Sequence, residues 1–145
     1  MPLSPPPHNG GVVVPHDHQE ILDGDDIIRR ISDEQCITTA EGTRRVSSIA
    51  FQASSGPNGG MSIDIKRSIE EAQLVAAEFV TTPKWIGSVT MKAAVPRSVG
   101  LMVGYDPLPD NVHHGEVWGK FDRKKSKHLQ RNSQWFVPIP GVGLV

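Results

Sequence analysis

The sequence predicts a small single-domain α+β protein with a mostly antiparallel sheet and two or so helices. Short apolar runs rich in β-branched residues recur between turn signals, interrupted in irregular order by two helical patterns. No repeat is present, and 145 residues suit one domain. Area scaling gives roughly 7,000 Å² folded against roughly 23,000 Å² unfolded, so about two thirds of the surface can be buried.

Residues 1–11 are Pro, Gly, Asn and Ser around one Leu, a composition that reads as a disordered arm. Val12, Val13 and Val14 fit a short edge strand ended by Pro15. Asp23 to Asp26 form a turn feeding Ile27–Ile31, which suits a strand or one capped helical turn. Ser32 to Gln35 offers a second helix start. Residues 44–51 fit a strand with one face on the core. Ser54 to Gly60 is a loop by composition. Met61 to Ile65 alternates cleanly, with Ser62 and Asp64 on the face opposite Met61, Ile63 and Ile65. Ser68 with Glu71 forms a capping box for a helix reaching Val80 and stopping before Pro83. Trp85–Val95 and Leu101–Tyr105 read as strands, joined by residues 96–100 as a short helical turn. Residues 106–111 form a rigid loop. His114–Gly119 is a short strand and Ser126–Trp135 a basic helix. Pro138 and Pro140 end the ordered part, with Trp135, Phe136 and Val137 docking back. The expected organisation is therefore an arm at 1–11, one domain over 12–137 and a tail at 138–145.

No stretch approaches the roughly 18–20 apolar residues of a membrane span. The first residues have neither the basic start nor the apolar run of a secretory signal. Cys36 is the single cysteine, so no internal disulfide is possible. A cytoplasmic bacterial protein is the expectation. The net charge of −1 conceals an asymmetry: residues 1–41 carry −6 and residues 42–145 carry +5. This excludes a uniformly basic nucleic-acid coat.

Five groups of residues can carry chemistry. Arg44 and Arg45 with Ser47 and Ser48 pair guanidinium forks with hydroxyls, a match for phosphate. Ser62 and Asp64 share a strand face, and Asp is depleted from strands, so Asp64 needs a reason to be there. On a strand, His114 and Glu116 share one face and His113 the other, and His114 is the candidate general acid/base. Lys120 to Arg131 holds six bases and one acid. As a helix it aligns Lys124, Lys127 and Arg131 on one face. His16, Asp17 and His18 sit in an acidic segment with some metal-site character. That segment is better read as a solvated arm able to lie across the basic helix. No metal and no other cofactor is expected.

Three stretches carry a resemblance. Arg45-Val-Ser-Ser-Ile-Ala-Phe51, Met61-Ser-Ile-Asp64 and Asn111-Val-His-His114, the last followed by Gly119-Lys120 and a basic helix, resemble a group of small bacterial proteins. The likeness spans roughly residues 27–131. It implies that Arg45, Ser47, Ser48, Asp64 and His114 belong to one recurring pattern, and it brings no activity. Val112 and His113 depart from it, since the group favours Pro and a small residue there. Arg29 or Arg30 on an early strand followed by a Ser-Ser strand is also loosely similar to ADP-ribosyl transferases, with Glu116 in place of their late acid.

These readings converge on a domain that binds a phosphate-bearing ligand, nucleic acid or nucleotide. Its enzymatic form is a His-dependent nuclease or transferase. The catalytic candidates are His114, Asp64 and Ser48. The phosphate-binding candidates are Arg44, Arg45, Lys120, Lys124, Lys127 and Arg131. Catalysis requires Arg45, Ser48, Asp64 and His114 to share one concave pocket. The alternative is a non-enzymatic adaptor or immunity-type module that binds a protein partner through its two oppositely charged parts.

Overall fold

The computed structural model describes residues 2–54 and 59–145. A hairpin of β1 (His8–Asn9) and β2 (Val12–Val13) leads to β3 (Asp26–Ile31), β4 (Cys36–Thr38) and β5 (Arg44–Val46). β6 (Met61–Ile65) runs directly into α1 (Lys66–Glu71), followed by α2 (Ala76–Phe79) and β7 (Gly87–Lys92). Next come α3 (Ala94–Arg97), β8 (Met102–Tyr105) and β9 (His114–Trp118). α4 (Arg123–Arg131), β10 (Gln134–Val137) and β11 (Val142–Gly143) complete the fold.

Six strands form one sheet in the order β10-β7-β3-β6-β9-β8, with every neighbouring pair antiparallel. A smaller sheet, β11-β5-β4, sits beside it. The protein is thus a single α+β domain with mostly antiparallel sheets. No helix among the described residues is long and apolar enough to cross a membrane.

Strand alternation gives the main sheet two unlike faces. One carries Ile27, Ile31, Met61, Ile63, Ile65, Val89, Val103 and Val117, all buried in the main core. Leu129 of α4, Phe51 and Val46 cover it. Burying each such aliphatic side chain contributes about 1.5–3 kcal/mol before entropy is counted. The other face is divided. Ile28 packs under Ile69, Ala76 and Val80 from the α1–α2 segment. Beyond it the same face turns polar: Ile28 pairs with Asp64, Asp64 with His114, and Ser62 with Glu116.

Several segments differ from the sequence reading. Residues 44–51 are not one strand, because β5 stops at Val46. Ser47 then caps a 3₁₀ turn over Ser48–Phe51, its Oγ accepting from Ile49 N at 3.3 Å. A serine able to cap competes with continued strand pairing. The helix expected from Ser68 to Val80 starts at Lys66 and is broken after Glu71. Gln73 adopts a left-handed φ of 62°, which ends the helix. Ser68 is no cap, since its Oγ bonds His113 Nδ1 at 2.8 Å. The basic helix begins earlier than expected, at Arg123, because Asp122 caps it by accepting from Lys125 N at 2.8 Å. It ends at Arg131, and residues 134–137, rich in aromatic and β-branched side chains, form a strand on β7.

Neither terminus is a loose appendage. Leu3 packs against the main core, Ser4 bonds the Glu20 carboxylate, and residues 8–13 form the β1–β2 hairpin. This overturns the disordered arm over residues 1–11, apart from Met1, which lies outside the described residues. In the expected tail, Ile139 and Val142 are buried and β11 pairs in parallel with β5. In both places a few apolar anchors and backbone pairs outweigh an unpromising composition. Residues 55–58 of the expected 54–60 loop lie outside the described residues.

Candidate active site

A cavity of about 420 Å³ opens on the polar half of the sheet face. Arg30, Ser62, Asp64 and His114 line it, with Phe79, Trp85 and Asn111 around them. Its size falls within the range of small-molecule sites. The strands β3, β6 and β9 supply the floor, and the α2 region and the loop before β9 supply the walls.

One cluster is built around Asp64, which is 3% exposed. Arg30 clamps this carboxylate through Nε at 2.8 Å and Nη2 at 3.1 Å. Asn111 Nδ2 donates to the same group at 2.8 Å. A guanidinium has five N–H donors, and Asp64 takes two of them. The Arg30 side chain also lies against the Phe79 ring, with Cζ 5.7 Å from its centroid. Arg30 is therefore held in place by Asp64 while N–H groups remain available to the cavity it lines.

The second cluster centres on His114. Nδ1 lies 2.7 Å from the Asp106 carbonyl, which only accepts, so the ring proton belongs on Nδ1. Nε2 then faces Ser62 Oγ at 3.1 Å and Glu116 Oε2 at 3.3 Å. Ser62 Oγ also donates to Glu116 Oε2 at 3.1 Å. The single Ser62 hydroxyl proton thus has two acceptors beside it, the Glu116 carboxylate and His114 Nε2, and its removal by the imidazole would leave an oxygen nucleophile. Asp106, His114 and Glu116 are all buried.

Arg29 supports the floor from the opposite face of the sheet. Its guanidinium donates to Ala50 O at 2.9 Å, Ser62 O at 2.9 Å and Ser54 Oγ at 3.2 Å. Burial pushes its pKa down to about 10, against the pull of Glu116 and Asp64. The bond to Ser62 O fixes the backbone of the residue that carries the candidate nucleophile.

Asp106, His114 and Glu116 also bring possible ligand atoms within 4.8 Å of one another. Both ring nitrogens of His114 already face hydrogen-bond partners, so ligation of a divalent ion would displace one of them.

The residues expected at one site separate. His114 and Asp64 line the cavity. Ser48 lies elsewhere, at the start of the 3₁₀ turn, beside Phe121, Arg123 and Ser126. Arg44 is bound to Asp33 at 3.0 Å, and Arg45 donates to Val46 O at 3.3 Å. The required pocket of Arg45, Ser48, Asp64 and His114 does not form, because the chain turns after Val46 and leaves Arg45 and Ser48 off the main sheet. Lys120, Lys124, Lys127 and Arg131 belong to the α4 region, whose Leu129 packs on the apolar face opposite the cavity. These cations therefore do not flank His114.

The acidic arm does not cover α4. Arg97 binds Asp17 at 2.9 Å and Asp23 at 2.8 Å, and Arg67 binds Asp25 at 3.0 Å. His16 and His18 are used in backbone bonds, with His16 Nε2 accepting from Tyr105 N at 3.2 Å and His18 Nδ1 from Glu20 N at 3.1 Å. Sequence reasoning missed Arg30 and Asn111 as partners of Asp64 and Asp106 as the orienting group. Arg30 left a signal as one of two adjacent arginines among the isoleucines of β3, and Asn111 as the first residue of the Asn111–His114 stretch.

Fold and site together describe a single α+β domain with an Arg- and His-bearing cavity on one sheet face. No family model matches the chain, and neither the curated proteins nor the solved structures yield a match.

Proposed function

We propose that this domain binds a small phosphate-bearing ligand of nucleotide size in the sheet-face cavity and acts on it as a His114-dependent hydrolase or transferase. The observation that carries the reading is the opening of Arg30 and the Ser62–His114 pair into one cavity. Arg30 contacts an anionic oxygen with the N–H donors that Asp64 leaves over. Phe79 and Trp85 offer apolar walls to a planar group.

In the reaction, His114 Nε2 takes the Ser62 hydroxyl proton as Oγ attacks phosphorus. The bond from Oγ to phosphorus forms while the bond to the leaving oxygen breaks. His114 returns the proton to that oxygen. Water or a second alcohol then releases the phosphoryl group by the same steps in reverse. Asp64 positions Arg30, and the Asp106 carbonyl holds the imidazole tautomer. Ser62, and not the catalytic candidate Ser48, is the hydroxyl beside His114.

The test uses bis(p-nitrophenyl) phosphate as a turnover probe and adenosine monophosphate as a binding probe. His114→Ala and Ser62→Ala should each abolish turnover while retaining the native circular dichroism spectrum. Arg30→Lys should weaken nucleotide binding by roughly 10- to 100-fold, the value of a charge-assisted hydrogen bond of about 1.5–3 kcal/mol. Binding without turnover would replace the enzymatic reading with that of a ligand-responsive interaction module. Absence of binding would overturn the proposal.

A further inference from the structure

Outside the 120–131 segment the described cations are engaged: Arg29 and Arg45 donate to backbone oxygens and Lys84 lies over the Trp85 ring. Arg30, Arg44, Lys66, Arg67, Lys92 and Arg97 each have a carboxylate partner. In the 120–131 segment the pattern changes. Among the described residues, no carboxylate lies within ion-pair distance of Lys120, Arg123, Lys124, Lys127 or Arg131. The one acid in the segment, Asp122, is occupied in capping the helix. The acidic arm is tied instead to Arg97 and Arg67.

The positive face is also held rigidly. Leu129 is fully buried, and Gln130 Nε2 donates to Val46 O and Leu144 O at 2.8 Å each. One side of α4 is thus anchored in the core, while Arg123, Lys124 and Arg131 are exposed on the other. Residues four apart on a helix are separated by about 6 Å along its axis. Each strand of a duplex presents a phosphate about every 3.4 Å of helix axis. A cation row of this pitch can meet roughly every second phosphate.

We propose that the outer face of α4, with Lys120, is a docking surface for a nucleic-acid backbone, separate from the cavity on the opposite face of the sheet. A membrane surface fits less well, because an interfacial helix buries apolar side chains in the lipid. The apolar side of α4 is already committed to the protein core. The contacts are to phosphate, so binding is independent of base sequence and strongly dependent on salt.

The experiment titrates the intact chain into a labelled 20-base-pair DNA duplex, followed by fluorescence anisotropy over 50–200 mM KCl. Engagement of about four or five phosphates gives a log–log salt slope of roughly −3.5 to −4.5, and affinity falls on the order of 100-fold over that range. Lys124→Gln with Lys127→Gln should make the slope shallower by about 2, and Arg131→Gln alone by about 1. Arg30→Lys should leave duplex binding unchanged, which keeps this result independent of the cavity proposal. No binding at 50 mM KCl, or an unchanged slope in both α4 variants, would overturn the inference. Tighter binding to phosphatidylserine vesicles than to the duplex would also overturn it.

Discussion

His113 and His114 are adjacent in sequence, both buried, and differently partnered. His114, the first residue of β9, faces Ser62 and Glu116, while His113, in the loop before the strand, bonds Ser68 and meets the Phe79 ring edge-on at 5.2 Å. Burial pushes the His113 imidazole below its ordinary pKa of 6.5, partly countered by Asp64. The unfolded chain therefore takes up this proton first as pH falls. Stability contributed by neutral His113 is complete above about pH 6.5 and is lost as the pH drops toward the lower folded value. Urea unfolding at pH 7 and pH 5 should show a smaller acid-induced loss in His113→Gln than in the parent. Identical losses would contradict this account. The depressed carboxylates Glu20 and Asp25 act in the same direction, but in a more acidic range.

At the scale of elements, local signals succeeded where each residue answered to one neighbour. Met61–Ile65 alternates because one face must enter the core and the other must not, so its strand was legible. The face shared by Ser62 and Asp64 was legible for the same reason. What Asp64 touches was not, because Arg30 and Asn111 reach it from 34 and 47 residues away. Ser47 and Ser48 misled the reading because serine serves a strand, a cap or a site equally well in sequence. The terminal arm misled it through composition, which does not reveal side chains acting as backbone substitutes. Asp17 Oδ1 accepts from Val103 N at 2.9 Å and His16 Nε2 from Tyr105 N, so the arm satisfies the outer edge of β8. Asp17→Ala should cost about 1–3 kcal/mol in chemical denaturation, since it leaves that amide unsatisfied. It should also speed hydrogen exchange at Val103. Full protection of that amide in the variant would show that the arm does not hold the edge.

At the scale of the molecule, near-neutral net charge resolves into separated functions. The acids of the first third are largely consumed by Arg97, Arg67, Arg44, Lys66 and Lys92. Most of the remaining positive charge collects at Lys120–Arg131, on one face of the sheet, and the proposed phosphate chemistry occupies the other. The sequence suggested one compact site because His114 and Lys120 are close along the chain. The sheet separates them: β9 carries His114 on its polar face, while α4 packs against the apolar one.

The proposed small phosphate-bearing ligand belongs to the cavity and not to the basic helix. Calorimetric titration of adenosine monophosphate into the parent, Arg30→Lys and the Lys124→Gln, Lys127→Gln double variant tests it most directly. The account predicts binding that Arg30→Lys weakens by roughly 10- to 100-fold and that the double variant leaves unchanged. Binding lost in the double variant and retained in Arg30→Lys would contradict it.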